Sequence, residues 1–435
     1  MNHIKNHDVF ISTRTRLDAA EILEAGYAAI DTGTAIGKTV RVDGETLHVG
    51  DAMFDLTRYD RLLVVAFGKC AADAAVALEN ILGDRITDGI VIDIRSGTPL
   101  KRLSFRAATH PLPSKQNIAA TGNVAALLAD ATERDLVLVV VSGGGSSMLC
   151  LPYDMTCDTL VSITDALMKA GATIDEINTV RKHTSKIQGG KLAELAHPAT
   201  VVGLMFSDVP GDDPTTIASG PTALDTTSKE DAARILAKYD VLNVCALPHC
   251  ELAETPKNPE IFARVTNIMV VTNRIALAAM RRRAEKLGYR AYVARTGLEG
   301  EAREVGADIM KAAKTGKTCL LYGGETTVTI SKDGTIGTGG RAQEVALGGL
   351  AYMMKNGTAH DTVLVAAASD GWDNTDAAGA IVDEGSGVAA FLLGLSPEAY
   401  LVRHDAYGFF ECAGGHIITG RTGMNVSDIY FTLTA

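Results

Sequence analysis

Three runs of β-branched and apolar residues constrain this chain most, because each is continuous rather than alternating and each ends in a glycine- or aspartate-rich turn. Residues 61–67 (RLLVVAF) lead into Gly68 and Lys69, residues 136–141 (LVLVVV) into 142–147 (SGGGSS), and residues 200–206 (TVVGLMF) into 207–213 (SDVPGDD). A strand apolar on both faces needs cover on both faces, which a parallel sheet between helical layers provides. After the first turn, Ala71, Ala75, Leu78 and Leu82 recur at helical spacing. Strand, turn and helix in alternation predict a doubly wound α/β sheet in the first half.

At 435 residues the chain is about three times the ~150 residues of one domain. Residues 246–259 (ALPHCELAETPKNP) hold three of the 12 prolines and little periodicity, and read as a linker. Beyond them the alternation resumes. Residues 268–272 read as a strand, Asn273 as an N-cap, and Leu277, Met280, Ala284 and Leu287 as one helix face. Further strands are expected at 318–322, 326–330 and 362–368, and a helix at 341–354. Two α/β domains follow, 1–250 and 263–435, with a cleft between them.

Charge and cysteine usage exclude several functions. Lys+Arg 41 against Asp+Glu 52 leaves a net charge of −11, which repels nucleic acid and anionic membranes. The longest apolar runs fall short of the ~18 residues of a membrane helix, and residues 1–16 lack an apolar signal core. The seven cysteines are an odd count without C-x-x-C spacing, as expected in a reducing, cytoplasmic setting. Cys245, His249 and Cys250 lie close together but lack a fourth ligand, so packing thiols are the better reading. The expected partner is a small molecule, with neither nucleic acid nor membrane; a homo-oligomer is compatible with the composition.

The 43 glycines, about 10% against a usual ~7%, cluster at the turns. A glycine-rich turn from strand to helix points backbone N–H groups at one spot and lets an anion approach. Ser142, Gly143, Gly144, Gly145, Ser146 and Ser147 fit that pattern, with a packing turn as the plainer alternative. The dinucleotide fingerprint is absent, since the three glycines are contiguous and Met148 stands where the last spaced glycine should fall. The P-loop pattern fails too, with Thr32 and Lys311 in place of its first glycine.

Lys69 follows a buried strand at the sheet edge where ligands bind, and suits a phosphoryl group as a point charge. Asp208, Asp212 and Asp213 suit either a hard cation or helix caps. Arg341 closes a GTGGR turn at a positive helix end, where it costs stability unless an anion arrives. The turn 369–374 carries Trp372 and reads as cleft lining or as an Asx turn. Arg281, Arg282 and Arg283 read as a solvated face.

In this order the turns resemble the second class of glycerate 2-kinases, whose C-terminal half is the MOFRL domain. The resemblance runs from about Leu17 to Leu433. It is carried by VVAFGKCA (64–71), VSGGGSSMLCLP (141–152), INTVRKHTSKIQGGKLA (177–193), FSDVPGDDPTTIASGPT (206–222), ETPK (254–257), EGEAREVG (299–306), GGETTVTI (323–330), GTGGRAQEVAL (337–347), DNTDAAGAIVD (373–383) and TGRTGMNVSDI (419–429).

The resemblance implies phosphorylation of D-glycerate at its 2-hydroxyl by ATP with Mg²⁺, and two α/β domains, the first Rossmann-like. It places the catalytic lysine at Lys69 and the catalytic arginine at Arg341. It makes 142–146 an anion- or phosphate-contacting turn, and Asp208 and Asp212 candidates for holding the metal or the substrate. Departures from the usual pattern, at Ala342, Arg421 and Met424, bear on the acceptor. The alternatives are a hydroxypyruvate reductase using NAD(P)H, a label members of the family have also carried, and a non-catalytic nucleotide or sugar-acid binder.

Overall fold

The computed structural model describes residues 3–95, 99–209, 211–330, 336–357 and 361–435. They form two compact units, Thr32–Val271 and a second built from Met1–Asp31 with Thr272–Ala435.

The Thr32–Val271 unit opens with a small antiparallel sheet, β1 (Val40–Asp43), β2 (Thr46–Val49) and β3 (Ala52–Asp55). Its main sheet comprises β4 (Arg61–Phe67), β5 (Asp88–Asp93), β6 (Ser104–Ala107), β7 (Asp135–Val141), β8 (Thr200–Phe206) and β9 (Val265–Val271). The spatial order is β6-β5-β4-β7-β8-β9, and every pairing is parallel. Every residue of β7 and β8, and all of β4 after Arg61, is buried, which is why these runs do not alternate. Phe67, Val139, Val141 and Met205 pack with Ala120, Val124 and Leu192 from flanking helices.

This is the doubly wound order, and its chain reversal decides where ligands can bind. From β4 the chain runs outward through β5 and β6, then returns to pair β7 with the other side of β4. The register from Arg61 with Asp135 to Phe67 with Val141 brings both strands to the same level. The turns after β4 and β7 therefore emerge side by side at the switch point, the crevice where open α/β sheets bind ligands.

Two expectations are corrected here. The strand expected at 268–272 is β9, and it pairs with β8 in the first sheet rather than opening the second half. Residues 246–259 are irregular, but they strap this unit instead of linking it to the next. Ala253 N donates to His183 O (2.8 Å), Thr255 Oγ1 to Asp225 Oδ2 (3.1 Å) and Lys257 Nζ to Asp225 O (2.9 Å).

The second unit holds β10 (Arg290–Leu298), β11 (Thr318–Gly324), β12 (Thr362–Ala368), β13 (Gly379–Val382), β14 (His416–Ile417) and β15 (Asp428–Thr434), in the order β10-β11-β15-β12-β13-β14. Only β10 and β11 run parallel; the other pairings are antiparallel. The expected strand at 326–330 does not form. Thr329 turns its N–H and hydroxyl to the Glu301 carboxylate, leaving a single bridge between Glu301 and Thr327. Thr272, not Asn273, caps the helix Asn273–Lys286, and Asn273 Nδ2 instead donates to Val426 O and Asp428 O.

The N-terminal residues belong to this second unit, contrary to the expected 1–250 domain. The helix Arg14–Ile30 lies so close to Asn273–Lys286 that a Cβ on Gly26 would stand 2.8 Å from Met280 Sδ. Buried Arg16 donates twice to Asp383 (2.6 and 2.8 Å) and once to Ser386, and Tyr27 Oη donates to Ala368 O. Removing one partner of such a buried bidentate pair costs several kcal/mol, so the segment is tied to its place. Arg281 pairs with Glu285 on the solvated face, as expected.

Candidate functional site

At the switch point of the parallel sheet, Gly68 and Ser142 are pressed together. Gly68 has φ +112°, and a Cβ there would lie 2.2 Å from Ser142 Oγ and 2.6 Å from Ser142 O. Ser142 N and Oγ both donate to Phe67 O, Cys70 N donates to Ser142 Oγ, and Lys69 N donates to Gly143 O (3.0 Å). Gly68→Ala is expected to cost about 2–4 kcal/mol through backbone strain and overpacking. A denaturant midpoint that falls at constant slope would show it; an unchanged midpoint would contradict it.

This lock positions Lys69. Its ammonium makes no hydrogen bond or ion pair among the described residues, while its backbone is fixed between β4 and the β7 turn. His110, a residue that sequence reasoning missed, stands close by. Its ring lies 2.8 Å from where a Cβ on Gly144 would be, and burial together with the Lys69 charge lowers its pKa. The imidazole is thereby held neutral near pH 7.

The turn 142–147 is tighter than its sequence implies. The helix it feeds is only Gly145–Met148. Ser147 Oγ donates to Gly144 O, and Ser146 Oγ shares a hydrogen bond with Ser219 Oγ (3.0 Å). Gly145 is walled by Ala218 and the Phe67 ring. The amides of Gly143 and Gly144 have no acceptor among the described residues, so backbone rather than hydroxyls is what this turn offers an anion.

The helix Ala71–Leu82 does not present a vacant positive end. Asp93, at the end of β5, accepts from Ala72 N (3.1 Å), Ile94 N (2.6 Å) and Arg95 N. Burial raises its pKa, against the lowering effect of those amides.

Asp208 and Asp212 follow β8, both half-buried. Pro210, between them, lies outside the described residues. The Asp213 carboxylate is taken up by Thr215 N and Oγ1 (2.8 Å each). Among the described residues no group of three or more His, Cys, Asp or Glu side chains is placed to hold a metal ion. Two carboxylates nonetheless suit Mg²⁺, which keeps most of its shell for water and phosphate oxygens.

In the second unit, Arg341 is the first residue of the helix Arg341–Asn356. The anion that this position demands comes from the protein itself. Arg341 Nε donates to Asp428 Oδ2 (2.6 Å) and Nη2 to Asp428 Oδ1 (3.3 Å), while Nη1 pairs with Glu325. Asp428 begins β15 between Gly324 of β11 and Ala368 of β12, so three strand ends converge on the guanidinium. Burial pushes Asp428 up to about 7, even though Arg341 pulls the other way. Tyr430 Oη also donates to Asp428 (3.0 Å).

Asp373 caps the same helix, accepting from Ala342 N (3.1 Å), Gln343 N (2.8 Å) and Gln343 Nε2 (3.0 Å). Burial raises it to about 6. The turn 369–374 is an Asx turn, with Trp372 N donating to Asp370 and the Arg421 guanidinium 4.4 Å from the indole ring. The sequence reading missed Asp373, Asp428 and Glu325 as partners, although all three lie inside segments that carry the resemblance.

Comparison with known proteins covers nearly the whole chain. Family models match at residues 18–248, a domain of unknown function (DUF4147), and at 318–428, the MOFRL family. A glycerate 2-kinase of Pyrococcus horikoshii is 37% identical over 93% of this chain and 94% of its own. A relative from Agrobacterium vitis that bears a hydroxypyruvate reductase name is 39% identical, over 85% of this chain and 86% of its own. A glycerate kinase of Thermotoga maritima, solved as a crystal structure, superposes with a TM-score of 0.84 at 34% identity over 96% of this chain and 99% of that one.

Proposed function

This chain belongs to the glycerate 2-kinase family, the phosphotransferases with MOFRL C-terminal halves, and we propose that it moves the γ-phosphoryl group of ATP to the 2-hydroxyl of D-glycerate, giving 2-phosphoglycerate and ADP. The observation that carries the reading is Lys69: an ammonium without a partner among the described residues, locked by backbone at a topological switch point, beside glycine amides that have no acceptor among those residues.

Phosphoryl transfer asks little covalent chemistry of a protein; fixed position and fixed charge lower the barrier. Lys69 supplies a point charge to the transferring phosphoryl oxygens, and Gly143 and Gly144 supply amide donors. Neutral His110 gives the site an acceptor for the hydroxyl proton. Arg341, oriented by Asp428 and Glu325, keeps further N–H donors for phosphate or carboxylate. Asp208 and Asp212 would hold Mg²⁺, which neutralises phosphate charge when bound. Seven free thiols suit a reducing cytoplasm. No described helix is long and apolar enough to cross a membrane. The reductase alternative has no counterpart in the chemistry of the β7 turn, which lacks the nicotinamide fingerprint.

The test is ADP release with D- or L-glycerate, with the product identified by an enolase coupling that accepts only the 2-phosphate. Release dependent on D-glycerate and a positive enolase signal are expected. ADP release indifferent to glycerate, or a product silent to enolase, would overturn the assignment.

A further inference from the structure

The segment 177–193, one of those carrying the family resemblance, contains a cation that the proposed transfer does not use. The helix Ile174–His183 ends in three basic residues. Buried Lys182 pairs with Asp225 (3.0 Å), and buried His183 meets Glu254 (3.2 Å). Arg181 is different. Its guanidinium has no hydrogen bond or ion pair among the described residues, yet it is largely withdrawn from water, and burial pulls its pKa down.

Arg181 lines a cavity of about 220 Å³ inside the Thr32–Val271 unit. Ser146 and Ser147, from the turn after β7, line it too; the remaining walls are mainly apolar, Leu112, Leu151, Leu160, Val161 and Met168 among them. Ser185 adds a hydroxyl, which accepts from Ile187 N and Gln188 N and so keeps its own proton to donate. Gln188 Nε2 is spent on Ser146 O and Leu149 O. The polar end of this cavity thus offers hydrogen-bond donors with one positive charge, while the rest is apolar, with the exposed Leu112 and Met168 at its rim.

A half-buried guanidinium with no counter-ion among the described residues favours an anion, and a carboxylate is the planar, bidentate anion that its fork matches. A phosphate monoester, carrying close to two negative charges, would need more compensation than one arginine and the Ser185 hydroxyl provide, since the hydroxyls of Ser146, Ser147 and Thr164 are already hydrogen-bonded within the fold. The volume limits the rest of the ligand to a few carbons, and the walls favour hydrocarbon over hydroxyl groups.

We propose that this cavity, which backs onto the 142–147 turn through Ser146 and Ser147, is a second ligand site, taking a small organic monocarboxylate with an apolar substituent, distinct from the place beside Lys69 where ATP and glycerate react. Its ligand class differs from glycerate, which would bring two hydroxyl groups against aliphatic walls.

The test is calorimetric or NMR titration of the full-length protein, without nucleotide, using 3-methylbutanoate and, as its neutral isostere, 3-methylbutanamide. The carboxylate is expected to bind at least about tenfold tighter than the amide, the worth of one charge-assisted pair. Arg181→Gln should remove that preference. Val161→Trp, which fills the cavity from its apolar side and leaves Arg181 in place, should abolish binding and so covers the case in which Arg181→Gln fails to fold. Equal affinity for acid and amide, no binding of either, or binding that survives Val161→Trp would overturn the proposal. Displacement of 3-methylbutanoate by millimolar D-glycerate would overturn the claim of a separate site. Because no turnover is read, failure here leaves the kinase assignment to its own assay.

Discussion

Lys69→Ala is expected to lower the rate of ADP release by about three orders of magnitude, the usual worth of a charge that stabilises a transferring phosphoryl group. Stability should hardly change. The backbone N–H that locks Lys69 to Gly143 O survives the substitution, and the lost ammonium has no partner among the described residues. A cation in the approach to a helix N-terminus is itself mildly unfavourable, so the variant could gain a few tenths of a kcal/mol. Lys69→Arg keeps the charge but replaces a compact ammonium with a planar fork, and should recover only part of the rate. The measurements are kcat by ADP release and the denaturant midpoint. Near-normal turnover in a folded Lys69→Ala protein would end the catalytic assignment of this residue.

Arg341→Ala is expected to fail in two ways, and the two can be separated. Turnover should fall by orders of magnitude if its remaining N–H donors meet substrate. Stability should fall as well, by about 3–5 kcal/mol, because Asp428 is left buried without its principal counter-charge. The double variant Arg341→Ala with Asp428→Asn should regain most of that stability and none of the turnover. A double variant that regains both would make Arg341 a structural residue only.

The pH dependence distinguishes the same cases. Asp428 sits near 7 in the folded protein, above the ~3.9 of an exposed aspartate. Between those values the folded state binds the extra proton, so this residue's contribution to stability declines as pH rises from about 4 to about 7. Removing Arg341 takes away the largest influence that lowers Asp428 and moves the upper limit of that window higher. Arg341→Ala should therefore be rescued by acid more strongly than the parent, and the double variant should lose that excess. Thermal midpoints measured between pH 5 and pH 8 provide the check.

Much of the first sheet was legible because its strands are buried on both faces and so announce themselves without any partner. The structure reproduces the expected bounds of Arg61–Phe67, Thr200–Phe206, Thr362–Ala368 and the helix Ala71–Leu82. Residues 326–330 misled because a β-branched run records propensity only, and the Glu301 carboxylate outcompetes a neighbouring strand for its hydrogen bonds. The placement of residues 14–30 was not legible. Nothing local shows that Arg16 will meet Asp383, 367 residues away.

Local chemistry thus settled the alternation of elements, the glycine-rich turns, and the presence of Lys69 after a strand and of Arg341 at a helix start, since each depends on a few neighbouring residues. Tertiary structure alone decided which charges are already satisfied. Asp93, Asp373 and Asp428 reach the two helix starts from distant strands and turns, turning an expected demand for an outside anion into an internal one, while Lys69 and Arg181 remain without a partner among the described residues. The physical reason is range: backbone propensity acts over a few residues, but the energy of a buried charge depends on whatever the fold brings within a few ångströms of it.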